Sequence, residues 1–370
     1  MINDDARAFF VNTPHRYDVI SFGLLDSHTT TAMTNARLDH YVYTKESLEM
    51  ARSRLASGGI LTLNFAAHRF FIADRIARTL KEIFGVEPLA FRIPESIWGN
   101  GGVMFVAGDL DSVRKQLDTQ PTLRTLIGTW TEKAPLPFTF TTKVTTDDWP
   151  YLYLEKPRIP VLYYLLALML FGLFFYTKWR FGLGEVTRHW TMNSWHFFFL
   201  GAAFLLLEVQ NISKAAVVLG NTWEVNGVII SGILIMILLA NLATVIVPKA
   251  PLTLAYLGLI SSCILLYSLD LADFMYLSYV KRAMVIGGLT ALPIFFSGIV
   301  FIRSFAKTAN KHQALGANLI GSLSGGLLQS ITFVTGIKAL LLIVAGLYLA
   351  SAITGGTLAR SPAAKQNPAL

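Results

Sequence analysis

With a single cysteine, Cys263, in 370 residues, neither a disulfide framework nor a cysteine-based metal centre can form within one chain. That cysteine lies inside an apolar run, where a lone thiol behaves as a small core residue. Charge is also scarce: 15% of residues are Asp, Glu, Lys or Arg, against about 25% in ordinary soluble domains. Acidic residues thin out most. Beyond residue 157 the chain has only Glu185, Glu208, Glu224, Asp270 and Asp273, so the formal +8 charge arises entirely in that second part. Its basic residues sit in short joints between apolar runs, as at lipid headgroups, which argues against nucleic-acid binding. Residues Met1–Arg7 are polar and acidic with no apolar run after them, so no cleavable signal is expected. No metal site is assigned.

What the chain has in abundance is apolar length, with 53% hydrophobic residues. About 20 apolar residues cover the hydrocarbon layer of a bilayer. Seven segments are expected to do so: Pro160–Tyr176, Trp195–Ser213, Val225–Val247, Leu252–Leu271, Ala283–Ile302, Ala314–Phe333 and Ile337–Ile353. The second has the least certain end, because apolar character persists through Ala215–Leu219. Tyr176, Trp179, Trp190 and Trp195 mark interfaces. The expected division is an α/β domain over 1–134, a linker over 135–157, a transmembrane helical domain over 158–354 and a disordered tail over 355–370.

The soluble part alternates strands and helices. Asp18–Leu25 reads as a buried parallel strand, Lys45–Ala56 as a helix capped by Thr44 and stopped at Gly58-Gly59, and Ile60–Phe65 as a strand. Ala67–Phe84 reads as a helix closed by Gly85, and Gly102–Ala107 as a further strand. Gly99–Gly102 precedes a strand and reads as a hairpin-like turn. This rhythm predicts a doubly wound sheet that binds ligands at the carboxyl ends of its strands, around Asp5, Leu25–Thr29 and Phe65–His68.

The ordered pieces Asp4-Asp5-Ala6-Arg7-Ala8-Phe9-Phe10, Tyr17-Asp18-Val19-Ile20, Leu25-Asp26-Ser27-His28-Thr29 and Gly58-Gly59-Ile60-Leu61 resemble the second half of a spermidine synthase-like domain. That domain has the class I S-adenosylmethionine-dependent methyltransferase fold. Thr146-Asp147-Asp148-Trp149-Pro150-Tyr151 is similar to the closing segment of membrane-bound relatives, and Phe204-Leu205-Leu206-Leu207-Glu208 with Gly220-Asn221-Thr222-Trp223 to their membrane part. The resemblance implies a partial Rossmann-like α/β domain followed by a polytopic helical membrane domain. It also implies S-adenosylmethionine or its decarboxylated form as cofactor, held at Asp5 and Ala6. Asp5 is equally placed to cap the helix that starts at Ala6.

Gly23 stands where the family carries its catalytic aspartate, and Asp26 aligns with the second aspartate of that pattern. Asp26 and His28 are therefore the catalytic candidates, against a plain polar loop. Asp147 and Asp148 are candidates for a small cationic amine, against a solvated turn. The glycine-rich cofactor turn is missing before Asp4, so truncation of the domain, or its completion by another chain, is expected.

In the membrane part, Glu208, Asn211 and Lys214 form a polar cluster at helical spacing. It reads either as an ion path or as a helix end near Gln210 with Lys214 reaching the interface. Gly316, Gly321, Gly325 and Gly326, with Ser322 and Ser324, give the sixth span a face for close helix packing. The lipid bilayer and a second copy of the chain complete the expected partners.

Orientation is contested within the sequence. Lys156, Arg158, Lys214, Lys281, Arg282 and Lys338 fall on the side of the soluble domain. Lys178, Arg180, Arg188, Lys249, Arg303, Lys307, Lys311, Arg360 and Lys365 fall on the other. The positive-inside rule alone puts the domain outside the cytoplasm. The family resemblance implies a bacterial-type inner (plasma) membrane protein with a cytoplasmic domain. Two function classes follow: a membrane-anchored transferase of aminopropyl or methyl type, incomplete on its own, and a non-enzymatic transporter or scaffold with a degenerate nucleoside-binding domain.

Overall fold

The computed structural model describes residues 5–23, 38–96, 101–181, 190–220 and 223–356. The chain divides into two compact units. One comprises residues 1–158 with the segments Ala216–Thr222 and Ala272–Ser278, and the other holds the remaining apolar helices.

The first unit begins with α1 (Ala6–Asn12), β1 (Tyr17–Phe22) and α2 (Lys45–Ser53). β2 (Leu55–Phe65), α3 (Phe70–Phe84), β3 (Leu89–Ile93) and β4 (Gly102–Gly108) follow, and then α4 (Leu110–Thr119) and α5 (Pro121–Lys133). The sheet order is β1-β2-β4-β3. β1 and β2 are parallel, with Phe22 opposite Leu63, whereas β4 pairs antiparallel with both β2 and β3. The expected doubly wound parallel sheet is thus corrected to a mixed one. The short connection from Ile93 to Gly102 allows β3 and β4 to form a hairpin, which a parallel pair could not do without a long crossover.

Gly58 and Gly59 also differ from expectation. α2 ends at Ser53, and the glycines lie inside β2, where the six residues Leu55–Ile60 oppose the three residues Tyr17–Val19. This is a bulge, and Gly58 at φ +78° supplies its left-handed residue. Thr44 does cap α2, accepting from the Ser47 amide, and Gly85 at φ +79° closes α3. α3 buries Ile72, Ile76, Leu80 and Ile83 at helical spacing against Leu61, Leu63 and Phe65 of β2. Each such side chain contributes about 1.5–3 kcal/mol on burial.

Residues 135–157, expected as a linker, fold onto this unit: Leu136, Phe138 and Phe140 pack against its core, and Trp149, Tyr151 and Leu152 are buried. Asp74 on α3 organises the near end. Its carboxylate accepts from the amides of Thr139 (2.6 Å), Phe140 (2.9 Å) and Thr142 (3.2 Å) and from the Thr142 hydroxyl (2.6 Å). Phe140 turns through φ +54°, a strained conformation for a non-glycine residue that this wrapping holds in place.

Burial pushes the Asp74 carboxyl up, but the hydrogen bonds from Thr142, Phe140 and Thr139 outweigh it and hold it below the ordinary range. The stability it adds is therefore present above the unfolded value, near 4, and is lost as the pH falls toward the lower folded one. The unfolding midpoint is expected to drop steeply below about pH 4. In Asp74→Asn it should drop much less, starting from a protein about 2 kcal/mol weaker at neutral pH, as a series of calorimetric melts would show.

The second unit contains α6 (Val161–Phe181), α7 (Met192–Leu219, whose last turn belongs to the first unit), α8 (Trp223–Ile246), α9 (Leu252–Ser268), α10 (Tyr279–Lys307), α11 (Lys311–Leu328) and α12 (Ala339–Gly356). Six helical stretches among the described residues are long and apolar enough to cross a membrane. The expected count was about seven; α9, the fourth of those spans, has 17 residues and falls short. Gly355 and Gly356, expected in the tail, close α12, and the rest of the tail lies outside the described residues.

Contacts fix the helix directions. α7 meets α11 backbone to backbone: a Cβ on Gly321 would collide with the Phe198 carbonyl oxygen, and one on Gly325 with the Ala202 carbonyl. Both residue numbers rise together, so these helices run parallel. The Asn318 amide donates to Phe197 O and the Ser322 hydroxyl to Gly201 O, each at 3.2 Å. The small-residue face read from the sequence is thus a packing face here. α8 and α10 are also parallel, with Gly232 against Gly287 and Gly298 against Ala240. α9 returns the chain antiparallel to α10, placing Gly258 on the Phe296 ring and Ala250 at the Arg303 guanidinium.

Candidate functional site

The N-terminus of α1 holds two of the predicted site residues, Asp5 and Ala6. Asp5 is the N-cap, its Oδ1 accepting from the amides of Arg7 (3.0 Å) and Ala8 (3.2 Å). Ala6 opens the helix. The other side of the Asp5 carboxyl lies against Gly220, where a Cβ would stand 3.3 Å from that of Asp5.

Two positions after Asp5, Arg7 is buried and donates through both terminal nitrogens to the Asp147 carboxylate, at 2.7 and 2.6 Å. Thr44 Oγ1 donates to the same carboxylate at 2.8 Å, and the Asp147 amide donates to Glu46 Oε2 at 3.0 Å. Asp147 is thereby placed among partners of its own chain. Burial works against the Arg7 charge, and the hydrogen bond and charge of Asp147 more than compensate, raising the guanidinium further. Burial, and then the Asp147 charge, raise the Glu46 carboxyl. A charge-assisted bidentate pair of this kind is held rigidly. Asp148, the other amine candidate, adjoins the buried Trp149, whose ring lies 4.4 Å from Lys143 Nζ.

The carboxyl end of β2 opens on a cleft of about 240 Å³, lined by Ala66, Ala67, His68, Arg92, Glu95 and Gly102 among others. It sets an imidazole, a guanidinium and a carboxylate at the strand end where an α/β sheet holds ligands. β1 runs parallel beside β2, so its carboxyl end shares that edge of the sheet. Asp26 and His28, which follow β1 in sequence, lie outside the described residues. The outer edge of β1 has no strand partner among the described residues, and Val19 is 55% exposed.

The polar cluster of the membrane part is distributed rather than convergent. α7 continues unbroken past Gln210 to Leu219, which corrects the reading of a helix end there. The Asn211 amide donates to Thr290 O on α10 at 2.7 Å, and the Lys214 ammonium to Leu266 O on α9 at 2.6 Å, so neither is a simple interfacial group. Glu208 is half-buried. Gln210 between them is fully buried, with both side-chain amide atoms lacking a hydrogen bond.

Sequence reasoning missed Arg7, Thr44 and Glu46 as members of one network with Asp147. Their partners are about a hundred or more positions apart, and no local spacing signals such a meeting. Among the described residues no group of three or more His, Cys, Asp or Glu is placed to hold a metal. No protein-family model matches this sequence, and a search of curated proteins finds no match.

Proposed function

We propose that this chain is a membrane protein whose α/β unit is spermidine synthase-like, and which binds a nucleoside-type ligand at the carboxyl ends of β1 and β2 without carrying out aminopropyl transfer by itself. The observation that supports this most is the commitment of Asp147. A transferase acting on a cationic amine needs carboxylates turned toward that amine, and here the carboxylate is bonded to Arg7 and Thr44 of the same chain. The polar cleft at His68, Arg92 and Glu95 supplies donors and an acceptor for a ribose or an amino-acid moiety. The edge of β1 that has no strand partner among the described residues offers a further strand a place to pair.

Titration of the detergent-solubilised full chain with S-adenosylmethionine and its decarboxylated form, followed calorimetrically, tests the proposal. The expected result is saturable binding without transfer of an aminopropyl group to a diamine, checked by mass spectrometry. Asp5→Asn separates the two roles of that residue, because asparagine caps a helix as well as aspartate does. Its melting temperature should stay within a degree or two while nucleoside affinity falls about tenfold, the loss of one charge-assisted hydrogen bond. Transfer by the chain alone, or absence of binding with Asp5→Asn indistinguishable from wild type, would overturn the reading.

The second reading, a transporter or scaffold, draws on Gln210, a buried amide inside α7 with no partner for either atom. Uptake of a cationic solute into proteoliposomes that is unchanged in Glu208→Gln would remove the ion-path form of it.

A further inference from the structure

Within the second unit, five helices enclose a cavity of about 350 Å³. Phe204 of α7 with Phe301 and Ile302 of α10 form much of its wall. Asn241 of α8 lies at the exposed side of the helices, and Tyr348 of α12, with no exposed surface, forms the deep end. Asp, Glu, Lys, Arg and His are all absent from its lining. The cavity therefore offers no counter-charge to an ionised ligand, and an unpaired charge there would carry a heavy desolvation cost.

The deep end is polar in one respect. The Tyr348 hydroxyl is buried and makes no hydrogen bond of ordinary length. Its polar neighbour, the Ser297 hydroxyl, donates to Ile294 O at 3.1 Å and keeps lone pairs toward Tyr348, but the two hydroxyls do not meet in hydrogen-bond geometry. A buried hydroxyl without an acceptor is costly, and native interiors seldom leave one in that state. Placed at the end of an apolar chamber that opens among membrane-facing side chains, it is a donor awaiting an acceptor carried by a hydrophobic molecule.

We propose that this cavity binds a neutral, largely apolar lipid-type molecule with one carbonyl group, its hydrocarbon part against Phe204 and Phe301 and its carbonyl oxygen accepting from Tyr348. The site is independent of nucleoside binding by the α/β unit.

The test uses the full chain in detergent and a diazirine-bearing methyl dodecanoate as probe, with labelled peptides located by mass spectrometry. Labelling is expected to saturate and to fall on peptides containing Phe204, Phe301 or Tyr348. The free acid form of the same probe should label at least tenfold more weakly at neutral pH, since no cation lines the cavity. Tyr348→Phe keeps the ring and removes the donor; it should weaken ester binding about tenfold while leaving the melting temperature equal or higher. Leu200→Trp, which fills the chamber, should abolish saturable labelling in a protein that still melts cooperatively. Non-saturable labelling spread over α6, equal labelling by ester and acid, or unchanged affinity in Tyr348→Phe would each overturn the proposal.

Discussion

Replacing Arg75 with methionine is expected to cost more than about 4 kcal/mol and to release residues 143–155 from the α/β unit. Arg75 has no exposed surface, and its guanidinium donates to the carbonyls of Lys143 (2.6 Å), Tyr151 (3.2 Å), Leu152, Leu154 (2.7 Å) and Glu155 (3.2 Å). The Phe71 and Trp149 rings lie over it at 5.5 and 5.3 Å. One side chain thus satisfies five backbone acceptors that no regular helix or strand serves. Burial pulls the group down to about 10, which leaves it charged at neutral pH. Methionine matches the length and fills much of the volume, so the loss reports the stranded carbonyls rather than a cavity. Arg75→Lys should recover only a fraction, because an ammonium cannot reproduce the planar fork. Limited proteolysis shows the outcome directly: rapid cleavage within 143–155 in the methionine variant and slow cleavage in wild type, with equal rates contradicting the account.

A loss of about 3–5 kcal/mol is expected for Asp147→Ala, which strands the buried Arg7 charge without its carboxylate. The cost belongs to the broken state and not to the pair as such. Arg7→Met combined with Asp147→Leu should therefore recover most of it, since an apolar pair of similar volume avoids both desolvation terms. Urea unfolding followed by tryptophan fluorescence is a suitable readout, because Trp149 is buried two positions away. A coupling energy near zero across wild type, Arg7→Met, Asp147→Leu and the double variant would mean that the 2.6 Å contact contributes nothing.

The membrane helices were legible because their signal is one-dimensional. An apolar run of 20 residues needs no knowledge of its neighbours, and the glycines of α11 at spacings of four and five declare a face before its partner is known. The sheet was legible where a strand was apolar throughout, as in β2 and β4. β3 was not read at all, since Leu89–Ile93 includes Arg92 and offers five residues with no clear alternation. The glycine pair at 58 and 59 was taken for a helix stop because a bulge and a stop use the same residue for the same left-handed dihedral. Asp74 and Arg75 escaped notice for a different reason. They are neighbours on a helix with ordinary amphipathic spacing, and what sets them apart is a segment 65 to 80 positions later that has no periodicity. Of the predicted site residues, Asp5 was legible as a cap, whereas the destination of Asp147 depends on Arg7, 140 positions before it.

The length of α9 has a consequence for the bilayer around it. Seventeen residues rise about 25 Å, some 5 Å less than a typical hydrocarbon layer. An apolar helix that stops short strands its last carbonyls in an environment without water. At its C-terminal end that deficit is met from within, since the Lys214 ammonium reaches the Leu266 carbonyl in the final turn. Hydrophobic mismatch of a few ångströms is relieved by thinning the lipid beside the short element, at a cost of fractions of a kcal/mol per ångström. A bilayer with a thinner hydrocarbon layer is therefore expected to accommodate α9 with the least strain, as melts of the chain in bilayers of graded acyl length would show.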